Sequence, residues 1–159
     1  MNNTAKKYPH VMTTPSDREI RVERIFNAKR ERVWQAMTKP ELVAKWWGRG
    51  NKVVVERMDL ERGGHWRFVE HSDHGTHGFE GRYSEIVPPE RVVQTFEWDG
   101  MPGHVVLETV TLEDLGDGRT KLVNVSLFMT AADRDGMVSS GMEDGMAASY
   151  AALDQLLAA

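Results

Sequence analysis

The feature that most constrains the fold is a single apolar stripe with helical spacing at the end of the chain. Met142, Met146, Tyr150, Leu153 and Leu157 follow one another at steps of four, four, three and four residues, which places them on one face of a helix. The segments before this stripe mostly alternate with the period of a strand, so this helix is the one long element able to cover a sheet. The sequence therefore predicts an α+β fold in which a curved antiparallel sheet surrounds a long C-terminal helix.

The beginning of this helix is marked by Thr130 and Asp133, either of which can serve as its N-cap. Three glycines weaken its first half, each by about 1 kcal/mol relative to alanine. The sequence therefore predicts a helix from near Asp133 to Leu157 that is bent or broken near Gly141.

Alternation of apolar and polar residues predicts about six to seven strands. The first lasts roughly eight residues after Asp17 and is followed by two short helices, over residues 28–38 and 41–47, because Pro40 ends one and can open the next. Asp117-Gly118 predicts a tight hairpin turn, since both residues tolerate positive φ. The later strands are predicted over residues 53–58, 65–70, 79–83, 92–98, 104–113 and 119–129.

The two ends of the chain differ in character. Residues 1–16 are polar and contain Pro9 and Pro15, which predicts a flexible tail before a single domain over residues 17–159. Lys6 and Lys7 are not followed by an apolar run, so no secretory signal is expected. No apolar window has the length of a membrane span, and we expect a cytoplasmic protein.

Charge and cysteine content exclude several classes of function. The net charge is -4 and the basic residues form no stripe, which argues against nucleic acid and against an anionic membrane as partner. The chain has no cysteine, so disulfides and thiolate chemistry are excluded. Gly48-Arg49-Gly50 follows a helix instead of opening one, so it does not have the geometry of a phosphate-binding loop. We expect no cofactor.

Several segments, in their order and spacing, carry a family resemblance. The segments are residues 28–41, Trp46-Trp47-Gly48, residues 59–68, residues 88–93, residues 140–146 and Leu153-Asp154. Through them the chain resembles the SRPBCC, or START-like, superfamily, and more closely its bacterial branch related to the C-terminal domain of the activator of the ninety-kilodalton heat-shock chaperone ATPase. The resemblance covers residues 18–159.

This resemblance implies a helix-grip fold with a deep cavity between sheet and helix. Members bind lipids, sterols, polyketides or plant metabolites, and some are cyclases, dehydratases or self-sacrificing resistance proteins. It also implies a link to stress response, with a heat-shock chaperone as a partner to test. No catalytic motif of the branch can be carried over to this chain.

A group of large apolar residues could line such a cavity or could simply form the core. Aromatic rings and methionine suit a pocket that adapts to its ligand. The resemblance favours the pocket for those that face the middle of the helix. The candidates are Trp66, Phe68, Phe79, Tyr83, Phe96, Trp98, Met142, Met146 and Tyr150.

Polar residues on two predicted strands could orient a ligand. Gln94 shares a strand face with Phe96, and Glu108 shares one with His104. A histidine near a glutamate could also carry acid/base chemistry. Both faces of the strand that holds Glu108 carry apolar residues, so the sequence leaves open whether Glu108 points inward or to water.

Three histidines lie at steps of three in a polar segment. His71, His74 and His77, with Asp73, could in principle bind zinc or copper. A hairpin loop rarely fixes three ligands without a rigid scaffold. We expect a solvated loop and no metal site there.

Three functions remain after these arguments. The first is non-enzymatic binding of a small hydrophobic molecule between the sheet and the C-terminal helix. The second is an enzyme that acts on such a ligand by acid/base chemistry, and the third is a module that contacts a heat-shock chaperone. The ligand and the oligomeric state stay open, with a homodimer among the alternatives.

Overall fold

The computed structural model describes residues 8–159, which contain eight strands and four helices. The strands are β1 (Val11–Thr13), β2 (Glu19–Phe26), β3 (Lys52–Met58), β4 (His65–Ser72), β5 (Gly75–Val87), β6 (Arg91–Trp98), β7 (Val106–Gly116) and β8 (Arg119–Leu127). The helices are α1 (Arg30–Thr38), α2 (Pro40–Trp46), α3 (Ala131–Ser139) and α4 (Met142–Ala158).

The eight strands form one antiparallel sheet in the order β1-β2-β8-β7-β6-β5-β4-β3. Since β2 and β3 are consecutive in the chain but far apart in the sheet, α1 and α2 make the connection between them. Helix α4 has α1, α2 and α3 as its closest backbone neighbours. This arrangement confirms the α+β helix-grip prediction, with one or two more strands than expected.

The alternation in β2 shows how the sheet meets the helix. Ile20, Val22, Arg24 and Phe26 are buried and form its inner face, which points toward α4. The ring of Phe26 meets that of Tyr150 edge to face, with centroids 5.7 Å apart. Period-2 burial on the strand and the apolar stripe on the helix therefore meet in one core.

The segment predicted as one C-terminal helix forms two helices, and the break lies near Gly141, where the sequence predicts it. All five residues of the apolar stripe lie on α4. Gly141 separates α3 from α4 with a φ of 85°, a conformation that favours glycine. Thr130 caps α3, because its side chain accepts a hydrogen bond from the Asp133 backbone N–H at 3.0 Å. On α4, Leu153 is fully buried, whereas Met146 is only half-buried.

The turn between β7 and β8 confirms the predicted hairpin. Asp117 and Gly118 both have positive φ, at 49° and 79°. A register shift between Asp114 and Gly116 then changes the pairing along the rest of the hairpin. As a result Glu108 lies opposite Ser126.

The N-terminal prediction needs correction. Val11–Thr13, which fall inside the predicted tail, form strand β1 and pair with β2 at the sheet edge. Residues 1–7 lie outside the described residues. Within residues 8–159, no helix has both the length and the apolar character needed to cross a membrane.

Candidate functional site

The middle of the inner sheet face carries an unusual set of polar side chains. Pairing places Gln94 of β6 opposite Glu108 of β7, and Glu108 opposite Ser126 of β8. Asn124 lies opposite Val110, two residues along the same pair of strands and therefore on the same face. With Phe96 beside Gln94, these residues form what we call the mid-sheet patch: Gln94, Phe96, Glu108, Val110, Asn124 and Ser126.

Every member of the mid-sheet patch is half-buried, although the inner face around it is closed. Val92, Leu112 and Leu122 are buried on one side, and Val106 and Phe128 are buried on the other. Facing the patch, Met142 and Met146 of α4 are also half-buried. Side chains inside a well-packed core keep almost no accessible surface, so this pattern indicates space between the middle of the sheet and the first half of α4.

Glu108 lies deep in this region, and its orientation is settled: it points inward. Burial raises the pKa of its carboxyl group, and side-chain hydrogen bonds from Asn124, Gln94 and Ser126 offset part of that rise. Asn124 Nδ2 donates to Glu108 Oε2 at 3.4 Å. Its polar partners are therefore neutral amides and a hydroxyl, and no cationic side chain of residues 8–159 forms an ion pair with it.

Tyr150 faces the same region from α4. Burial raises the pKa of its phenol, the negative charge of Glu108 adds to the rise, and Asn124 and Arg24 offset part of it. The buried Oδ1 atom of Asn124 has no hydrogen-bond partner among the described residues. The polar end of the site therefore has hydrogen-bonding capacity that the described part of the chain leaves unused.

His10 lies beside Tyr150, at the edge of the region between the sheet and α4. Its ring lies 6.0 Å from that of Tyr150, and within the described chain both of its ring nitrogens are buried without a partner. Burial lowers the pKa of His10, and Glu143 opposes this effect. His10 directly precedes strand β1, in the segment that the sequence predicted as a tail, and its imidazole lies close to the site.

The other half of the inner face is aromatic. Phe79 lies 5.5 Å from Phe96, and Trp66 lies 4.8 Å from Phe68 and 6.1 Å from Phe96, measured between ring centroids. Trp47, which follows α2, meets both Phe68 and Phe79 edge to face at 5.2 Å. These five rings form an aromatic cluster that adjoins the mid-sheet patch through Phe96.

Gly81 makes room for this cluster. A Cβ atom at position 81 would lie 1.8 Å from the Thr95 carbonyl oxygen and 2.7 Å from Trp66 Nε1. Trp66 Nε1 donates to that same carbonyl at 3.1 Å, which fixes the indole against the sheet. The glycine between Phe79 and Tyr83 therefore has a packing reason.

A second carboxyl group is buried near the end of the same inner face. Glu70 of β4 accepts hydrogen bonds from Arg49 Nη2 at 2.5 Å and from Arg49 Nε at 3.2 Å. The Arg49 backbone N–H donates to Ser149 Oγ of α4 at 3.0 Å, and the arginine stem lies against Gly145. This ion pair links the loop after α2 to both sheet and helix.

Arg24 is a buried cation on this face, and it is paired as well. Its guanidinium binds the Asp154 carboxylate, with one N–O contact at 3.3 Å and a second shorter one. The pair joins β2 to the second half of α4. Two ion pairs therefore flank the mid-sheet patch.

The three other predicted site residues differ in position. Tyr83 is buried and lies opposite Gln94 on the inner face; burial raises the pKa of its phenol, and the carboxylate of Asp59 adds to the rise. Trp98 is 36% exposed and packs against His77 and Gly100. His104 needs a correction: it precedes β7, is exposed, and its Nδ1 lies 2.9 Å from Asp133 Oδ1, so the structure gives it no acid/base contact with Glu108.

The histidine segment also differs from the predicted loop. β4 extends to Ser72 and β5 begins at Gly75, so His71 and His77 lie on strands and only His74 lies in the turn. Glu70 pairs with His77 and His71 pairs with Thr76, which puts the two histidines on opposite sheet faces. No three potential metal-binding side chains converge anywhere in residues 8–159.

Two open depressions mark the outer surface, and both lie away from the mid-sheet patch. One lies between Arg30 and the β6–β7 region near Glu113. The other is bordered by Arg49 and His77 at the end of the β4–β5 hairpin. Neither includes a residue of the patch.

Sequence reasoning missed Trp47, Asn124, Ser126 and Glu70 as site residues. A signal existed for Glu70, since it continues the alternation of Trp66 and Phe68. For Asn124 and Ser126 the signal was weaker, because their face depends on the register shift near Asp114.

The fold and the site together define a helix-grip protein of the SRPBCC type, with polar and aromatic side chains turned toward the space under its C-terminal helix. Residues 27–158 match the profile of the family described as Activator of Hsp90 ATPase homolog 1-like protein. The chain belongs to this family.

Solved structures agree with this assignment. A protein from Rhodobacter sphaeroides is 28% identical, with a TM-score of 0.86, over 94% of this chain and 98% of that chain. A protein from Chromobacterium violaceum is 30% identical, with a TM-score of 0.75, over 87% of this chain and 96% of that chain. A protein from Arthrobacter aurescens shares the fold at 22% identity, with a TM-score of 0.85, over 93% of this chain and 91% of that chain. A comparison with curated proteins gives no match.

Proposed function

We propose that this protein binds a small hydrophobic molecule between the middle of the sheet and the first half of α4, as a binding protein and not as an enzyme. The observation that carries the proposal is the half-buried mid-sheet patch inside an otherwise closed face. A ligand in that position would remove the remaining apolar surface of Phe96, Val110 and Met146 from water, which is favourable.

The chemistry of the two halves of the site supports the same proposal. The aromatic cluster supplies rigid apolar area for the body of a ligand. Glu108, Gln94 and the free Oδ1 of Asn124 supply a few polar groups that would orient it. Ligand sites in proteins commonly combine an apolar wall with a small number of such groups.

The direct test is native mass spectrometry of the protein purified from its own host, followed by a thermal-shift panel of apolar amines, alcohols, acids and flat aromatic compounds. We expect a retained ligand, or at least one compound that raises the melting temperature. At a hundredfold excess over Kd, binding adds about 2.7 kcal/mol to the free energy of unfolding. No retained mass and no shift from any compound would overturn the proposal.

A matched pair of variants localises the binding. Val110→Phe fills the space from β7, whereas Leu107→Phe adds the same ring on the outer face, where Leu107 is 38% exposed. We expect Val110→Phe to abolish the thermal shift with little loss of stability, and Leu107→Phe to retain it. A Val110→Phe variant destabilised by about 1–3 kcal/mol would indicate a packed core instead of a cavity.

Acid/base catalysis on such a ligand is the second candidate, and the raised pKa of Glu108 beside Tyr150 favours it. If a retained ligand is identified, incubation with that compound should leave it unchanged under the binding proposal. Conversion by the wild type but not by Glu108→Gln would establish the enzyme. If no ligand binds at all, a chaperone contact becomes the better hypothesis.

A further inference from the structure

The carboxyl groups on the inner face of the sheet do not all have a cationic partner. Arg24 is paired with Asp154, and Arg49 is paired with Glu70. Glu108 is the inward-facing carboxyl group of the mid-sheet patch, and it remains without a cation in the described part of the chain. The interior therefore has a place for one further positive charge or for a proton.

A buried carboxyl group without a counter-charge is costly, so it stays protonated or finds a cation. The neighbours of Glu108 are arranged for the charged form. The Asn124 amide donates to it at 3.4 Å, and the polar side chains of Gln94 and Ser126, which lie opposite Glu108 on the neighbouring strands, also favour the carboxylate. A cation that entered the cavity would complete this arrangement and displace the proton.

We infer that the ligand of this cavity carries a protonated amine as its polar head and that Glu108 receives it. This inference rests on the proposed ligand-binding function and names the chemical class of ligand. The apolar body would lie toward Phe96 and the aromatic cluster, and the ammonium group would lie at the Glu108 carboxylate, on the side of Gln94 and Ser126. Tyr150 closes the polar end from α4.

The same charges argue against an anionic head. An unpaired arginine or lysine would be the strongest partner for the carboxylate of a fatty acid. Buried Arg24 and partly exposed Arg49, the two arginines bound to inner-face carboxylates, are already paired with Asp154 and Glu70. Placing a second carboxylate near Glu108 would add repulsion to the desolvation of both groups. We therefore expect discrimination by charge and not only by shape.

Three probes of equal chain length test the inference: octylamine, octanol and octanoate, titrated calorimetrically at neutral pH. We expect octylamine to bind the wild type about tenfold or more tighter than octanol, and octanoate to bind more weakly than octanol. Glu108→Gln should lose the preference for octylamine over octanol. Glu113→Gln is the matched control, because Glu113 lies on the same strand and its side chain is exposed.

The outcomes separate the two proposals. If octanol binds wild type and Glu108→Gln equally but octylamine has no advantage in the wild type, the amine inference is wrong while the cavity stands. An amine preference that survives in Glu108→Gln would assign the charge recognition to another group and would also overturn it. If none of the three compounds binds a protein that melts cooperatively, the proposed function itself fails.

Discussion

Glu70 and Glu108 are two carboxyl groups on the same inner face of the sheet, and they differ in what surrounds them. Glu70 is 1% exposed and holds the guanidinium of Arg49 by two hydrogen bonds. Glu108 has only neutral partners within the described residues and borders half-buried side chains. The first fastens the loop after α2 to the core, whereas the second lies among half-buried side chains and has no ionic partner in the described residues.

The comparison shows that two carboxyl groups on the same inner sheet face can have different surroundings: Glu70 is paired with a cation, and Glu108 is not. Around Glu70 the polar groups satisfy one another, and the arginine also reaches α4 through its backbone. Around Glu108 the donors are present and the counter-charge is missing. The predictions below ask whether the two regions differ in packing, in electrostatics and in ligand response.

The largest effect should separate the packed half of α4 from the open half. Leu153 is 0% exposed, so Leu153→Ala should lower the free energy of unfolding by ~2–5 kcal/mol. Met146 faces the space, so Met146→Ala should lower it by less than about 1 kcal/mol. Urea denaturation of the two variants measures both values, and equal losses would show that α4 is packed uniformly.

A somewhat smaller effect should follow from breaking the ion pair of Glu70. Arg49→Met keeps the apolar stem beside Gly145 but leaves the carboxylate buried without its partner. We expect a loss of about 3 kcal/mol, at the low end for a broken buried pair because Arg49 is 48% exposed. The double variant with Glu70→Gln should recover part of this loss. A single variant as stable as the wild type would show that the pair is dispensable.

The smallest effect concerns Glu108 and has the opposite sign. Its pKa is raised in the folded state, so as the pH rises the unfolded chain releases the proton first, and the wild type loses stability between the unfolded and the folded pKa. Glu108→Gln does not titrate and should become the more stable protein, by on the order of 1 kcal/mol, toward neutral pH.

The pH range over which Glu108→Gln becomes more stable than the wild type lies between the pKa of Glu108 in the unfolded chain and its pKa in the folded protein. Below the ordinary glutamate pKa of about 4.3, the difference in free energy of unfolding between the wild type and Glu108→Gln should no longer change with pH. Thermal melts over a pH series provide the measurement, with Glu113→Gln as control. A difference that stays constant with pH would mean that Glu108 is not desolvated as described.

Local sequence patterns predicted the fold because they depend on near neighbours. Asp117-Gly118 fixed the hairpin turn through its tolerance of positive φ, and Gly141 marked the helix break. The burial of Leu153 followed from helical periodicity in the same way. Each of these predictions needs only residues close in the chain.

The site was harder to predict because it depends on register. The shift between Asp114 and Gly116 puts Glu108 opposite Ser126, and a regular hairpin from the same turn would place it opposite Leu127. The pairing of Arg49 with Glu70 spans 21 positions and follows from the path of the loop after α2. The contact of His104 with Asp133 likewise depends on where α3 lies.

The central claim is that the space between the mid-sheet patch and α4 is the binding site, and methionine methyl NMR tests it most directly. In protein labelled at the methionine methyl groups and titrated with octylamine, or with any compound that raises the melting temperature, the signals of Met142 and Met146 should shift. Met101 and Met129, which are 45% and 58% exposed outside the grip, serve as internal controls and should not move. Saturable shifts at Met146 that disappear in Val110→Phe would bear out the account. Shifts confined to Met101 or Met129, or shifts at Met146 that persist in Val110→Phe, would contradict it.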